Sequence, residues 1–308
     1  MQGSEARGHV LALITIGIWG LTFVSTKVLL ETFQPVEVLF YRFLIGFVAL
    51  TILRPRFPRL DSWKQEAMYA GAGLCGVTLY FLLENIALVY TTASNVGVIV
   101  SVAPFFTAIV SFFFAREERL RPGFFVGFGI AMAGIVLISS QGLSLSLAGD
   151  LLAVGAAAVW AIYSVLTRKI ALFGPDNIQM TKRIFAWGVL LMIPALFIFD
   201  FNFGLERFGD PVMTANILFL GLGASALCFV TWNLALRILG AIKTVAYIYL
   251  VPVITVAASV VILHEPLTPV IVIGVVLTCL GLVVSERGKT PIAKASEGKS
   301  LIESGAAK

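Results

Sequence analysis

The chain consists of long hydrophobic stretches separated by short polar segments. A helix that crosses a bilayer needs ~20 mainly apolar residues, and ten stretches reach or approach this length: residues 9–30, 36–53, 67–90, 93–115, 122–140, 148–168, 180–199, 213–237, 242–263 and 269–285. The stretches are long and unbroken, which is typical of spanning helices. The pattern therefore predicts an all-α membrane protein with ten transmembrane helices.

The composition supports this prediction. Of the 308 residues, 59% are hydrophobic and 13% are charged, against about 45–50% apolar and about 25% charged in a soluble domain. The first hydrophobic stretch is too long for the apolar region of a cleaved signal peptide, so it predicts an uncleaved first span. The three cysteines all lie inside apolar stretches, which favours buried thiols over a disulfide framework.

Lysine and arginine are distributed unequally between the two sets of loops. One set carries Arg7, Arg54, Arg56, Arg59, Lys64, Arg116, Arg119, Arg121, Arg168, Lys169, Arg237 and Lys243, and the tail adds five more. The other set carries only Arg207. Because positively charged loops stay in the cytoplasm, residues 1–8 and the polar tail 287–308 are predicted to be cytoplasmic, and the tail to be disordered. The protein is predicted to be multi-pass in the cell (inner) membrane.

The two halves of the chain resemble each other. Residues 79–91 align with 227–239, and 103–111 align with 251–259, which pairs Pro104 with Pro252. Residues 18–27 align with 159–168 and pair Trp19 with Trp160. The chain is therefore predicted to hold two repeats, 9–140 and 148–286. Five spans are an odd number, so the second repeat would enter the membrane from the opposite face, which makes an inverted repeat of five helices each.

These motifs resemble the EamA family of the drug/metabolite transporter superfamily. The resemblance rests on ten spans in two halves, an N-x-A-L run closing spans three and eight, a proline in spans four and nine, and an acidic loop before spans five and ten. It implies a secondary transporter, often an exporter of amino acids, related metabolites or drugs. It also implies that spans one to four and six to nine surround a central pathway, with spans five and ten outside.

The stretch GAGLCG, residues 71–76, matches the glycine pattern of a dinucleotide-binding turn. That motif requires a preceding strand and a following helix, whereas this copy lies inside a predicted span. Glycines at such spacing let membrane helices approach closely, so they are predicted to serve packing, as are the glycines of 123–134 and 221–225. The tail sequence RGKT lacks the glycine spacing of a phosphate-binding loop, so no ATPase is predicted.

Polar side chains inside the spans are the candidate functional groups, because they are costly in hydrocarbon. Glu84 has Tyr80 one turn before it and is interpreted in two ways. It either contacts a substrate amine or carries a proton, or it is an interfacial carboxylate paired with Arg42 or Lys27. Arg42 is a candidate for carboxylate recognition, because a guanidinium binds bidentately. Lys182 is interpreted as reaching the headgroups.

Two helical stripes carry further candidates. Span one places Thr15, Trp19, Thr22 and Thr26 on one face, and span six places Trp160, Tyr163, Ser164 and Thr167 on another. Each stripe lines a cavity or forms hydrogen bonds between helices. The complete predicted set of substrate-binding residues is Trp19, Thr22, Thr26, Arg42, Tyr80, Glu84, Asn95, Ser101, Trp160, Tyr163, Ser164, Trp232, Lys243 and Tyr247. Pro104 and Pro252 interrupt backbone hydrogen bonding and are predicted hinges or packing kinks.

The predicted function is a carrier that works by alternating access, driven by protons or by exchange for a counter-substrate. Its partners would be a small-molecule substrate and the lipid bilayer, without nucleic acid, metal or cofactor. The candidate substrates are amino acids and related metabolites, with a multidrug or cationic-compound efflux carrier and a lipid-handling protein as alternatives. An enzyme is not predicted, because the spans contain no H-E-x-x-H or G-x-S-x-G motif.

Overall fold

The computed structural model describes residues 2–56, 62–115, 118–120, 122–139, 147–171, 173–174, 176–199, 201–239, 244, 246–287 and 289–291. In the first half, α1 is Gln2–Leu29, α2 is Pro35–Leu53 and α3 is Trp63–Tyr90. Next, α4 consists of Ala93–Val100, Ala103–Val110 and the π-helical Ser111–Ala115, and α5 is Pro122–Ser139.

The second half follows the same order. Helix α6 is Leu147–Ala171, and α7 is Asn177–Ile198. A 3₁₀ turn, Glu206–Gly209, precedes α8, which consists of Pro211–Leu218, the π-helical Phe219–Leu227 and Cys228–Leu239. Then α9 consists of the 3₁₀ turn Ala246–Leu250 and Val251–Ile262, and α10 is Pro269–Arg287. Strand β1, Glu118–Leu120, pairs antiparallel with β2, Lys289–Pro291.

Several helices begin at residues that are suited to cap a helix N-terminus. Helix α2 begins with a proline after Gln34, and the Glu37 carboxylate accepts the backbone N–H of Gln34 at 2.7 Å. Ser62 and Thr92 cap the starts of α3 and α4 with their hydroxyl oxygens. Since the first turn of a helix has unpaired N–H donors, these caps fix where each helix begins.

Seven helices of the described residues are long and apolar enough to cross a membrane, namely α1 to α4 and α6 to α8. Three shorter apolar helices lie at Pro122–Ile138, Val251–Ile262 and Pro269–Ser285. The prediction of a helical, multi-pass membrane protein is therefore confirmed, and among the described residues the short β1–β2 pair is the exception to an all-α fold. The ten-span inverted layout stays a prediction, and so do the boundaries 1–8, 9–140, 148–286 and 287–308. Of the tail, residues 288 and 292–308 lie outside the described part.

Helices α3 and α8 both contain a π-helical segment. In α3 it is Leu74–Leu79, and in α8 it is Phe219–Leu227. The two segments end at Leu79 and Leu227, which the repeat alignment pairs with each other. A π-helical turn widens the helix and redirects the side chains that follow it, and such turns occur often at functional sites. The π-helical segments of the two halves therefore end at positions that the sequence repeat relates to each other.

Glycines allow the closest helix contacts, as the sequence predicts. A Cβ added at Gly73, within GAGLCG, would lie 2.7 Å from the backbone nitrogen of Gly188 in α7. In α5, a Cβ at Gly127 would lie 2.5 Å from the carbonyl oxygen of Gly281 in α10. Gly134 and Gly274 approach each other in the same way. Helices α5 and α10 therefore pack against each other backbone to backbone.

Candidate substrate-binding cavity

A cavity lies between the two halves of the bundle, and the centres of water-sized molecules can occupy about 60 Å³ of it. It is lined by residues from α1, α2, α3, α4, α6 and α9: Trp19, Thr22, Phe23, Arg42, Tyr80, Phe81, Glu84, Val100, Ser101, Ala103, Trp160, Ile248 and Val251. The wall is mainly apolar and aromatic, with few polar groups, which is typical of a site for a small molecule.

Arg42 is among the largest fully buried side chains of the described residues. Its Nε donates to the Ser225 hydroxyl oxygen at 3.2 Å. The guanidinium carbon lies 4.2 Å from the centroid of the Phe81 ring and 5.3 Å from that of Phe43. Its Nη1, however, is buried and has no hydrogen-bond partner among the described residues. Arg42 therefore presents an unused donor at the cavity.

Glu84 lies on the same cavity and is 1% exposed. The Tyr80 hydroxyl, one helical turn earlier, hydrogen-bonds its carboxylate. Its Oε1 is buried and lacks a hydrogen-bond partner in the described part of the chain. Glu84 and Arg42 attract each other electrostatically. However, Arg42 Nη1 and Glu84 Oε1 do not hydrogen-bond each other. A buried charge is unfavourable unless it is paired, so both groups are available to a ligand.

Aromatic rings form one side of the cavity. Trp19 and Trp160 meet edge to face with ring centroids 5.9 Å apart, and Tyr80 lies 4.7 Å from Trp160. Behind them, Trp232 lies 5.2 Å from Trp19 and Phe229 lies 5.8 Å from it. Trp19 Nε1 donates to the carbonyl oxygen of Ala224 at 3.0 Å. The rings thus fill the space between α1, α3, α6 and α8 and fix each other's orientation.

The backbone of α4 is interrupted beside the cavity. Helical structure ends at Val100 and resumes at Ala103, and Ser101 between them lines the cavity with its two neighbours Val100 and Ala103. Pro104 sits in the first turn of the new segment, where its missing N–H costs nothing. The predicted interruption therefore lies just before the proline rather than at a kink within a continuous helix.

The same arrangement occurs in α9. A 3₁₀ turn ends at Leu250, and Pro252 lies in the first turn of Val251–Ile262. Ile248 and Val251 line the cavity. Broken helices at membrane depth are tolerated where they line a cavity, and here both breaks do so.

Seven of the predicted site residues line the cavity: Trp19, Thr22, Arg42, Tyr80, Glu84, Ser101 and Trp160. Two more lie directly behind its wall. Tyr163 packs at a tilt against Trp160 with ring centroids 4.8 Å apart, and Trp232 packs at a tilt against Trp19. Four threonine and serine hydroxyls of the predicted stripes do not line it. Thr15 hydrogen-bonds the Thr231 hydroxyl at 2.7 Å, Ser164 donates to the Trp160 carbonyl of its own helix at 2.9 Å, and Thr26 and Thr167 are buried.

The remaining predicted residues lie elsewhere. Asn95 donates to the Asp150 carboxylate and to the Thr91 hydroxyl, near the start of α4. Tyr247 hydrogen-bonds His9 Nδ1 at 2.5 Å, near the start of α1. Lys243 falls outside the described residues.

Two lysines hold the ends of helices. Lys27 Nζ donates to the carbonyl oxygens of Leu88 and Thr91 at the end of α3. Lys182 Nζ donates to the carbonyl oxygens of Arg54 and Arg56 after α2. Carbonyls at a helix C-terminus lack intrahelical partners and favour a cation. These contacts replace the interpretation of Lys182 as reaching the headgroups.

Sequence reasoning missed the apolar lining, which consists of Phe23, Phe81, Val100, Ala103, Ile248 and Val251. Apolar residues in a membrane span carry no signal of their own, because most of them face lipid or other helices. It also missed Ser225, which lies in a glycine-rich segment interpreted only as packing.

The two halves of the chain match a known family separately. A family model described as the EamA-like transporter family matches residues 6–140 and again residues 147–286. The chain belongs to this family. The resemblance seen in the sequence motifs is therefore confirmed, and with it the assignment to the drug/metabolite transporter superfamily.

Several EamA relatives are similar over nearly the whole chain. An uncharacterized transporter of Archaeoglobus fulgidus is 28% identical over 90% of this chain and 96% of its own length. A probable terminal-alkyne amino-acid exporter of Streptantibioticus cattleyicolor is 25% identical over 89% of this chain and 92% of its own. A probable amino-acid metabolite efflux pump of Salmonella typhimurium is 26% identical over 90% and 94%.

The fold is also similar to that of a protein whose crystal structure is known. The two chains are 21% identical and superimpose with a TM-score of 0.65. The match covers 91% of this chain and 97% of the other one. This likeness concerns the fold. The names of the relatives show a membrane transporter in general terms, so its substrate has to be inferred from the cavity.

Proposed function

We propose that this protein is a secondary-active transporter of the cell (inner) membrane that exports amino acids or related small metabolites. The observation that carries the proposal is the pair of unused groups at one cavity. Arg42 Nη1 and Glu84 Oε1 are both buried, and neither has a hydrogen-bond partner among the described residues.

An amino acid would satisfy both groups at once. Its carboxylate would accept from the Arg42 guanidinium, which can donate two parallel hydrogen bonds. Its ammonium would donate to Glu84, while the aromatic wall formed by Trp19, Trp160 and Tyr80 would contact its side chain. A buried charge without a partner is energetically costly. A ligand that carries both charges would pair with both protein charges.

The amino-acid assignment also agrees with two relatives. The proteins of Streptantibioticus cattleyicolor and Salmonella typhimurium carry names that refer to amino-acid or amino-acid metabolite export. At 25–26% identity the substrate is not transferred by similarity alone, so the cavity groups are the stronger support.

We place the transporter in the membrane as ten spans in two inverted five-helix repeats, with both termini in the cytoplasm. Three observations support this layout. The family model matches each half separately, π-helical segments end at repeat-related residues, and both broken helices meet the cavity. In such a protein the halves rock around a site near the membrane midplane. Protons or a counter-substrate would drive export.

The proposed substrate contacts are the predicted residues that line the cavity, with Arg42 and Glu84 at the centre: Trp19, Thr22, Arg42, Tyr80, Glu84, Ser101 and Trp160. Pro104 and Pro252 are proposed as hinges, because each follows a break that borders the cavity.

The decisive experiment measures transport in proteoliposomes with a panel of radiolabelled amino acids and cationic drugs, with and without a pH gradient. We expect saturable amino-acid flux that Arg42→Gln reduces strongly. Arg54→Gln is the matched control, because Arg54 follows the same helix but is exposed, and it should transport normally. The absence of saturable flux for every amino acid would overturn the proposal.

A cationic-compound efflux carrier is the second candidate, favoured by the position of Glu84 beside the aromatic wall. Such a wall attracts cations through the faces of its rings. The Arg42→Gln variant separates the two candidates, since dye efflux should survive the loss of the guanidinium whereas amino-acid efflux should not. A lipid-handling protein would show no saturable uptake of either solute.

A further inference from the structure

We infer that Ser225 is a positioning residue that orients the Arg42 guanidinium for the carboxylate of the substrate. The inference rests on the proposed function, because it assigns the carboxylate end of the ligand to Arg42. It adds a residue from α8, a helix from which no described residue lines the cavity.

The contact between Ser225 and Arg42 depends on two glycines. Helix α2 crosses the π-helical segment of α8 where a Cβ on Gly46 would lie 3.3 Å from both the Gly221 carbonyl oxygen and the Ser225 Cβ. A Cβ on Gly221 would in turn lie 2.7 Å from Ile45. The absence of side chains at these positions brings the backbones together. This approach places the Ser225 hydroxyl within 3.2 Å of Arg42 Nε.

The π-helical segment has a second contact that fixes its position. Its Ala224 carbonyl oxygen accepts from Trp19 Nε1 at 3.0 Å. Consecutive residues of α8 thus hold the indole of α1 and the guanidinium of α2. Ser225 itself is fully buried, so its hydroxyl is not diverted to water.

These contacts fix the orientation of the Arg42 guanidinium and therefore of its remaining N–H donors. Ser225 occupies Nε, and the Phe81 ring lies 4.2 Å from the guanidinium carbon. A planar guanidinium fixed at Nε and against one ring has little freedom to rotate. Nη1 has no partner in the described structure, and Arg42 lines the cavity. The end of the guanidinium that carries Nη1 is therefore the part that a carboxylate can reach.

Loss of the Ser225 hydroxyl would act on the carboxylate specifically. Without it, Nε becomes a buried donor lacking an acceptor, and the guanidinium can turn to use another one. The Arg42 guanidinium that binds the ligand carboxylate would then be less ordered. A ligand that lacks a carboxylate would not depend on this orientation, so its affinity should stay unchanged.

The test compares Ser225→Ala and Ser225→Thr with the wild-type protein, purified at full length in detergent. Dissociation constants are measured for a neutral amino acid that the wild type transports and for its carboxamide. We expect Ser225→Ala to weaken binding of the amino acid about tenfold, the effect of one lost hydrogen bond, and to change carboxamide binding less than about twofold. Ser225→Thr, which keeps the hydroxyl, should restore amino-acid binding.

Thr51→Ala is the matched control, because the Thr51 hydroxyl donates only to the Phe47 carbonyl of its own helix at 2.8 Å. It should bind both ligands as the wild type does. Equal losses for both ligands in Ser225→Ala would indicate a general structural role and overturn the inference. Unchanged binding of both ligands would overturn it as well.

A second measurement needs no ligand and separates this inference from the proposed function. Modification of Arg42 by phenylglyoxal is followed by peptide mass spectrometry in the unliganded protein. Ser225→Ala should be modified faster than the wild type, and Ser225→Thr should not. If the wild type binds no amino acid, the proposed function fails, and these rates alone decide whether Ser225 holds Arg42. Equal rates in all three proteins would show that it does not.

Discussion

Trp19 and Trp160 meet at an interplanar angle of 89°, with their ring centroids 5.9 Å apart, although 140 residues separate them in the chain. The repeat alignment pairs the same two residues, and both line the cavity. Equivalent positions of the two halves thus meet at the centre of the molecule. A contact of this kind is expected where two related halves surround one pathway, and it makes the environment of α1 testable.

The face of α1 that carries Trp19 should be accessible to water-soluble reagents. We expect Thr22→Cys, placed in a chain whose three native cysteines are replaced, to react with a membrane-impermeant methanethiosulfonate. Thr22 lines the cavity, and a cavity that opens in turn to each side must admit water. The rate of labelling is measured in proteoliposomes by mass shift, with and without substrate, which should protect the thiol.

The neighbouring position provides the control for this labelling. Leu21 is exposed on the outside of the helix bundle, where lipid would surround it, so Leu21→Cys should react slowly. A Thr22→Cys variant that is no more reactive than Leu21→Cys in any condition would contradict an aqueous cavity at this site.

Glu84 should matter for ligands that carry an ammonium group. We expect Glu84→Gln to weaken binding of an amino acid about tenfold or more, because hydrogen bonds to charged groups contribute about 1.5–3 kcal/mol. The N-acetyl derivative, which lacks the ammonium, should bind the variant and the wild type equally. Calorimetric titration in detergent measures both ligands.

Two results would count against this role of Glu84. Equal losses for the amino acid and its N-acetyl derivative would assign Glu84 to the structure of the cavity. Unchanged binding of both ligands would remove Glu84 from recognition. The exposed Glu31→Gln variant, at the end of α1, controls for the loss of one negative charge.

The ion pair between Glu37 and Arg207 should stabilise the fold. The Glu37 carboxylate is fully buried and accepts from Arg207 Nη1 at 2.6 Å and Nη2 at 3.3 Å, and from the backbone N–H of Asn202 at 2.7 Å. Removal of the partner would leave a buried charge unpaired, which costs about 3–5 kcal/mol. Arg207 is partly exposed, so we expect Arg207→Ala to lose a smaller amount, about 1–3 kcal/mol.

Thermal unfolding in detergent measures this loss as a lower Tm. Arg54→Ala is the matched control, since its side chain is exposed after α2, and its Tm should equal that of the wild type. An Arg207→Ala variant with an unchanged Tm would show that water replaces the guanidinium at no cost.

The glycines of GAGLCG should be required for packing rather than for binding a nucleotide. A Cβ at Gly73 would lie 2.7 Å from both the Gly188 nitrogen and the Ile184 carbonyl oxygen, and backbone atoms cannot move aside easily. We therefore expect Gly73→Ala to destabilise the protein by about 1–3 kcal/mol, measured by thermal unfolding. Gly129→Ala should not, because nothing lies within 4 Å of a Cβ there. Equal Tm values for the two variants would contradict the packing role.

The positions of the helices were predictable because bilayer thickness sets the length of a hydrophobic stretch. Each of the ten predicted stretches contains a described apolar helix. The breaks and the π-helical segments were not predictable in detail. The interruption at Ser101 and Val102 lies beside the cavity, and the hydrophobic pattern is continuous on either side of it, so the pattern alone does not locate it.

The candidate site was predictable only in part, for a related reason. Arg42 and Glu84 stand out in sequence because a charge inside a span is rare. The sequence predicts Tyr163 on the cavity face with Trp160, but it packs one layer behind, where a Cβ on Gly76 would clash with its ring. Ser225 gains its role only because α2 and α8 approach at two glycines, which depends on tertiary packing.

The break before Pro104 should act as a hinge of the transport cycle. Pro104 has no N–H to donate to the carbonyl groups of the preceding turn. Pro104→Ala would restore that donor and let Ala93–Val100 and Ala103–Val110 join into one stiffer helix. We expect turnover to fall about tenfold, a change of about 1.4 kcal/mol in the barrier, with substrate affinity unchanged.

Counterflow in proteoliposomes gives the turnover, and titration in detergent gives the affinity. Pro269→Ala is the matched control, because Pro269 also begins a helix but is exposed on α10, away from the cavity lining. If Pro104 bends α4 only for packing, Pro104→Ala and Pro269→Ala should transport at the same rate. A fall in turnover in Pro104→Ala and Pro252→Ala, but not in Pro269→Ala, would be expected only if both broken helices move. The two prolines occupy equivalent positions in the two halves of the chain. The paired result thus tests the hinges and the symmetry between the halves in one experiment.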